Sequence, residues 1–338
     1  MQINVCIFGV SGYTGAQLIQ FLAKHKFVNI TGIFGYETIG QKIRNLFPSI
    51  TNLPDLTISN YSDFNFDNVD LIFSCLPHGK FQSSIINNIK GNNSIIDLSG
   101  DFRLDDLSLY EEFYGIKHES KDKKGKFVYG LSEVYKKEIK KAKFIANPGC
   151  YPTSILLPLI PLIKKNIITN QHIIIDSKSG VSGAGKKLEI KNLFSEINEN
   201  FYSYGLKKHK HFIEIDQEIS KLGKNTFTFI PSLVPVTRGL QSTIYIEKNE
   251  SVMFYKNAIK DFYKNEPFVQ ILDKKCPSFS DVKFTNNILL NIFEDYQKKK
   301  IIIISCIDNL VKGAAGQAIQ NMNLMYDFDE KESLISTL

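Results

Sequence analysis

INVCIFGVSGYTGAQLIQFLAKH, residues 3–25, carries three local signatures in one run. INVCIF is short, apolar and rich in β-branched types, as a buried strand requires. GVSGYTG is a glycine turn, with Gly9, Gly12 and Gly15 three residues apart. AQLIQFLAKH then takes a helical pattern. Strand, glycine turn and helix in that order form an anion-binding device, because the helix N-terminus points its N–H groups at whatever the bare backbone lets approach. A dinucleotide pyrophosphate suits that geometry, with Ser11 and Thr14 adding hydroxyl donors. The alternative is a turn that needs positive φ and binds nothing.

The pattern repeats. VNITGIF (28–34) reads as a second strand whose end should meet an adenine ribose. An acid there favours a free 2′-hydroxyl and a cation favours a 2′-phosphate. The chain offers Gly35, Tyr36 and Glu37, then Lys42 and Arg44, which leaves the choice open. DLIFSCLPHG (70–79), FQSSIINNIK (81–90) and SIIDLSGDFRL (94–104) continue the alternation of strands with helices. Such alternation predicts an α/β fold with a doubly wound parallel sheet. LPHG falls where a strand's carboxyl end faces the crevice, and His78 in it suits a loop hydrogen bond as well as a functional role.

Length sets the next bound. With 338 residues the chain outgrows a single core, which stops growing near about 250–300 residues, so two domains are expected. The net charge of +6 is modest and the lysines are scattered or in short runs such as 298–300, so a nucleic-acid surface is not indicated. Five cysteines, an odd number without a CxxC pair, argue against a disulfide framework or zinc ribbon and for a reducing interior. The N-terminus enters a strand directly, and the apolar stretch 154–163 is short and holds two prolines, so neither a signal peptide nor a membrane span is expected. A cytoplasmic protein is the reading.

NPGCYPT (147–153) places Cys150 at the start of an apolar, helix-compatible segment, where Pro152 is tolerated. A thiol there feels the positive end of the helix and its pKa falls. Cys6, Cys75 and Cys306 sit in apolar strands and read as inert; Cys276 lies in a polar stretch. YGLKKHKHFIEI (204–215) supplies His209 and His211, with Glu214 three residues beyond. A carboxylate that near can fix an imidazole tautomer. A solvated basic loop is the competing reading, and no third ligand at metal spacing accompanies the pair. SKSGVSGAGKK (177–187) combines bare backbone with lysines that suit anions. Arg238, alone among apolar residues in PSLVPVTRGL, reads either as an anion anchor or as half of an ion pair. The small residues of 314–323 predict a helix packed closely on the nucleotide domain.

Taken together, GVSGYTG, CLPHG, DLSGDFRL, YGLSE, NPGCYPT, SGVSGAGKK, KHKHFIEI, LVPVTRG and DNLVKGAAGQAIQNMN resemble, in order, the N-acetyl-γ-glutamyl-phosphate reductase family. The resemblance implies a Rossmann-type domain from 1–149 plus 309–338, and an α+β substrate and oligomerisation domain of the semialdehyde dehydrogenase type from 150–308. It implies NADP(H), held by Gly9, Ser11, Gly12, Tyr13, Thr14, Gly15, Pro77, Ser182, Gly183 and Asn309. Cys150 becomes the nucleophile and His211 the acid/base, with His209 competing. Arg103, Asn147, Glu214 and Arg238 become candidate substrate contacts. No metal is implied, and a homodimer or homotetramer is.

The same resemblance implies the reaction. N-acetyl-L-glutamyl 5-phosphate would acylate Cys150, and the thioester would be reduced to the semialdehyde, a step of arginine biosynthesis. Aspartyl- or aminoadipyl-phosphate reductases share the architecture and remain alternatives. A cysteine hydrolase would not need GVSGYTG, and a non-enzymatic NADP-binding protein would not need Cys150 with both histidines. Three departures from the family pattern stand out. Gly35 and Tyr36 replace a serine–arginine pair, Gly100 replaces alanine, and Lys210 and Ile213 replace arginine and proline.

Overall fold

The computed structural model describes residues 2–89 and 92–335. Its chain divides into two units, Met1–Pro148 with Ala314–Leu338 and Gly149–Gly313. The sequence places the junctions at 149/150 and 308/309. The two units divide at 148/149 and 313/314, one and five residues from those positions. Among the described residues no helix is long and apolar enough to cross a membrane.

The first unit is built on six strands: β1 (Ile3–Phe8), β2 (Val28–Phe34), β3 (Leu71–Ser74), β4 (Ser94–Asp97), β5 (Val128–Tyr129) and β6 (Phe144–Ala146). They pair in the order β2-β1-β3-β4-β6-β5, every pair parallel. β1 is central, and Val5, Cys6, Ile7 and Phe8 are at most 1% exposed, as a strand covered on both faces demands. The strand order reverses between β1 and β3, which puts the glycine turn at the switch point of the sheet. The helix expected over 81–90 is shorter than expected. It spans Lys80–Ser84, and residues 85–88 form turns because two isoleucines and two asparagines carry little helix propensity. Lys90 lies outside the described residues.

Two loops at the carboxyl edge lock together. Gly79 N–H donates to Asp101 Oδ1 at 2.8 Å, and Gly100 N–H donates to His78 Nδ1 at 2.8 Å. His78 thus takes part in a loop hydrogen bond through Nδ1. The same lock explains Gly100: a Cβ there would lie 2.0 Å from Tyr114 Oη, so the tyrosine fills the space an alanine methyl would take.

The last helix, Gly316–Met325, joins this unit through buried amides rather than small residues alone. Gln317 Nε2 donates to Gly130 O and Ser132 Oγ, and Asn321 Nδ2 donates to Gly130 O and Asn147 Oδ1. Gln320 Nε2 donates to Glu133 Oε1. The YGLSE and QAIQNMN motifs are thus two halves of one polar zipper. A turn of π-helix, Val311–Ala315, precedes it.

The second unit carries a seven-stranded mixed sheet of β7 (His172–Gly180), β8 (Tyr202–Ser203), β9 (Thr226–Val234), β10 (Leu240–Glu247), β11 (Val269–Ile271), β12 (Ile288–Glu294) and β13 (Lys300–Ile307), ordered β11-β12-β13-β10-β7-β9-β8. Between β6 and β7 runs the helix Cys150–Lys164, in which every residue from Tyr151 to Ile163 is buried. A helix apolar on all sides belongs in a core. Pro158 and Pro161 lie inside it, and each removes an intrahelical N–H. The carbonyl freed by Pro161, that of Leu157, is taken by Tyr263 Oη at 2.8 Å. The residues that argued against a membrane span are thus accommodated inside a buried helix that begins at Cys150.

Candidate active site

Cys150 is the first residue of its helix, behind an extended Gly149 cap (φ −72°, ψ 160°). The first-turn N–H groups of a helix lack intrahelical acceptors, and Pro152 brings none, so the amides of Cys150 and Tyr151 define the anion-facing end. Thr153 closes the turn from behind, its N–H and Oγ1 both donating to Gly149 O. The buried helix behind the thiol holds it on a rigid element.

The second helix of the site, Lys210–Ser220, packs its Ile213, Glu214, Ile215, Glu218 and Ile219 inward. Glu214, fully buried, accepts the N–H of Gly149 at 2.8 Å and so anchors the residue before the cysteine. His211 lies on the same turn. A Cβ on Gly149 would sit 2.4 Å from His211 Nε2, so the imidazole occupies the space that only glycine leaves open. Gly313 does the same on another side: a Cβ there would lie 2.6 Å from Cys150 Cβ. Both glycines were missed as site residues. NPGC and VKGAAG contain them, but no spacing rule marks a glycine that a distant side chain needs.

His209 is placed differently. It is the N-cap of the Lys210–Ser220 helix, and its Nδ1 accepts the backbone N–H of His211 at 3.1 Å. Burial, helped by the charge of Lys210, pushes its pKa down to about 4. His209 is thus neutral at physiological pH with Nδ1 already used as an acceptor. Tyr151, 2% exposed, stands edge-on to His209 and His211 with centroids 5.6 and 5.7 Å away. Its Oη donates to Ser232 O at 3.2 Å, so the ring that orients both imidazoles is itself pinned.

In the first unit the three glycines of the opening turn divide their work. Gly9 has φ +78°, and a Cβ on it would strike Cys75 O at 2.7 Å. A Cβ on Gly15 would lie 2.3 Å from Gly9 O, so that glycine lets the helix Tyr13–Leu22 close on the turn. Gly12 is different: its Cβ would meet nothing nearer than Gly9 O at 3.5 Å. The protein does not need glycine there, which fits a position kept bare for a ligand's pyrophosphate. Pro77 is exposed on the loop after β3, whose Cys75 and Leu76 touch Gly9.

Comparison with known proteins decides the family. Residues 4–142 match the semialdehyde dehydrogenase NAD binding domain, and residues 150–309 match the semialdehyde dehydrogenase dimerisation domain. The N-acetyl-gamma-glutamyl-phosphate reductase of Methanocaldococcus jannaschii is 42% identical over 98% of this chain and 97% of its own. A protein of Arabidopsis thaliana named "Probable N-acetyl-gamma-glutamyl-phosphate reductase, chloroplastic" is 43% identical over 98% of this chain and 84% of its own. The chain belongs to the N-acetyl-gamma-glutamyl-phosphate reductase family. Its first unit is accordingly a nicotinamide-dinucleotide domain. The fold is shared more widely. Aspartate semialdehyde dehydrogenase II of Vibrio cholerae, solved with ASA, superposes with a TM-score of 0.73 at 18% identity, covering 97% of this chain and 99% of that one.

Within this reductase fold, several residues expected at the ligands make internal hydrogen bonds or ion pairs. Arg103, 6% exposed, donates through Nε to Asn147 O at 2.7 Å and through Nη2 to Leu98 O at 2.8 Å. Asn147, 1% exposed, donates its N–H to Asp97 O and its Nδ2 to Ala314 O. Arg238 pairs with the buried Asp308 at 3.1 Å and lies over the Phe284 ring, which is the ion-pair alternative. Lys178 and Lys187 of the glycine-rich segment pair with Asp176 and Glu189. Ser182 and Asn309 do come together: Asn309 Nδ2 donates to Ser182 Oγ at 2.8 Å, and its Oδ1 accepts Gly239 N–H. Gly183 packs beside them, where a Cβ would crowd Ser179 Oγ at 2.9 Å.

Three of the remaining thiols are held protonated by burial. Burial pushes Cys6 and Cys75 far up, and Cys306 up to about 12. Cys276 is exposed. Among the described residues no group of three His, Cys, Asp or Glu side chains is arranged to hold a metal ion.

Proposed function

We propose that this protein reduces N-acetyl-L-glutamyl 5-phosphate to N-acetyl-L-glutamate 5-semialdehyde, releasing phosphate, as a step of arginine biosynthesis. The observation that carries the reading is Cys150 at a helix start with His211 Nε2 seated against the preceding glycine. The near full-length likeness to reductases of that name supports the substrate.

The chemistry follows from the residues. His211 takes the thiol proton and Cys150 Sγ attacks the acyl carbon of the acyl phosphate. The amides of the helix's first turn hold the oxyanion, and phosphate leaves with the C–O bonding pair. A thioester remains on Cys150, and a thioester accepts hydride more readily than a carboxylate. A reduced nicotinamide, when bound, supplies that hydride; NADPH is the form the family resemblance implies. The C–S bond then breaks, its electron pair returns to sulfur, and His211 manages the proton. Arg103 with Asn147, and Glu214 with Gly149, are assigned to holding the cysteine turn.

Purified protein given N-acetylglutamate semialdehyde, phosphate and NADP should raise the absorbance of reduced nicotinamide only when phosphate is present. Activity on aspartate semialdehyde with none on the acetylated compound would move the assignment to the alternative reductase.

The second unit is further assigned to self-association. Leu188, Ile190 and Phe194, within the matched dimerisation domain, are 89, 78 and 79% exposed, an unusual display of apolar side chains. Light scattering should give a dimer or tetramer, and a monomer at micromolar concentration would refute this.

A further inference from the structure

We infer that the turn after β2 removes the usual preference for a 2′-phosphorylated cofactor, so that this chain binds NADH about as well as NADPH. The inference rests on the proposed reductase reading, and concerns which dinucleotide the glycine turn receives.

The end of β2 is tied to that turn, since Gly9 N–H donates to Phe34 O at 2.9 Å. In such sheets the adenine ribose lies at this strand end, where a cation pairs with a 2′-phosphate and a carboxylate accepts from a 2′-hydroxyl. The residues that follow are Gly35, Tyr36 and Glu37, and Tyr36 and Glu37 are both exposed. The two nearest cations in sequence are engaged elsewhere. Lys42 Nζ pairs with Asp55 Oδ2 at 3.1 Å, and Arg44 Nη2 donates to Leu53 O at 3.0 Å. A short ladder keeps them there: Gly40 N–H donates to Ile58 O, Ile58 N–H to Gln41 O, and Lys42 bridges Thr57. What reaches the ribose position is therefore an aromatic ring and a carboxylate. The carboxylate accepts from a 2′-hydroxyl and repels a 2′-phosphate, while Tyr36 offers a face to the adenine without regard to the phosphate.

The test is binding rather than turnover. The full-length protein is titrated with NADPH and with NADH, without acyl substrate, following quenching or calorimetric heat at about 0.15 M salt. NADPH should bind less than about tenfold tighter than NADH, the least that one phosphate–guanidinium pair ordinarily confers. Glu37→Arg should shift the ratio toward NADPH by about tenfold or more. Wild-type preference for NADPH of tenfold or greater would overturn the inference, and so would a Glu37→Arg variant with an unchanged ratio. If neither nucleotide binds, the reductase reading falls and takes this with it; selective NADPH binding overturns only this.

Discussion

Cys150→Ser is expected to abolish turnover, with kcat falling by at least about 10⁴-fold while the thermal midpoint stays near that of the parent. The substitution exchanges one atom in a helix whose next thirteen residues are buried, so the fold has little reason to change. The chemistry has every reason to. A helix start can lower a thiol into the physiological range, but a hydroxyl begins far above it. A serine ester, even if formed, is a poorer hydride acceptor than a thioester. Incubation of the parent with the acyl phosphate alone should also leave an acyl mass on the Cys150 peptide. Serine activity within a hundredfold of the parent, or no acyl mass on that peptide, would sink the covalent route.

His211→Asn should lower kcat by about 10²–10⁴-fold, the range a positioned acid/base contributes. Gly149→Ala should do nearly as much without removing a titratable group, because its methyl would lie 2.4 Å from Nε2 and must displace the ring or the cysteine turn. His209→Asn should be far milder. Asparagine is among the best N-cap residues, so the hydrogen bond to the His211 N–H survives in kind. His209 also takes its proton only near pH 4, so any limb of the pH–rate profile between about 5 and 8 belongs to another group. If His209→Asn alone kills activity and leaves the helix intact, the two imidazoles have exchanged roles. If Gly149→Ala is fully active, the contact with His211 has no mechanistic weight.

The two histidines show where sequence reading stops. Both stood in one motif, two residues apart, and only the family resemblance put His211 first with His209 competing. What separates them in space is the helix boundary between them: one imidazole faces backward as a cap, and the other lies against Gly149. The arginines teach the same lesson from the other direction. Arg238 was legible as a lone cation among apolar residues and Arg103 only through the family resemblance, but which acceptor such a cation meets depends on chain segments far away in sequence. For Arg103 the acceptor is Asn147 O, and for Arg238 it is Asp308.

The sequence by itself determined the doubly wound first sheet, the glycine turn after its first strand and the singular environment of Cys150. Each of those follows from local periodicity, backbone freedom or position at a helix start, which neighbouring residues set. Only the tertiary structure decided that Gly12 has room for a Cβ, while Gly149 and Gly313 are bare because His211 and Cys150 press on them. It also decided that the cations after β2 are committed elsewhere. These are contacts between segments remote in the chain, and close packing, rather than any local pattern, fixes which atoms meet.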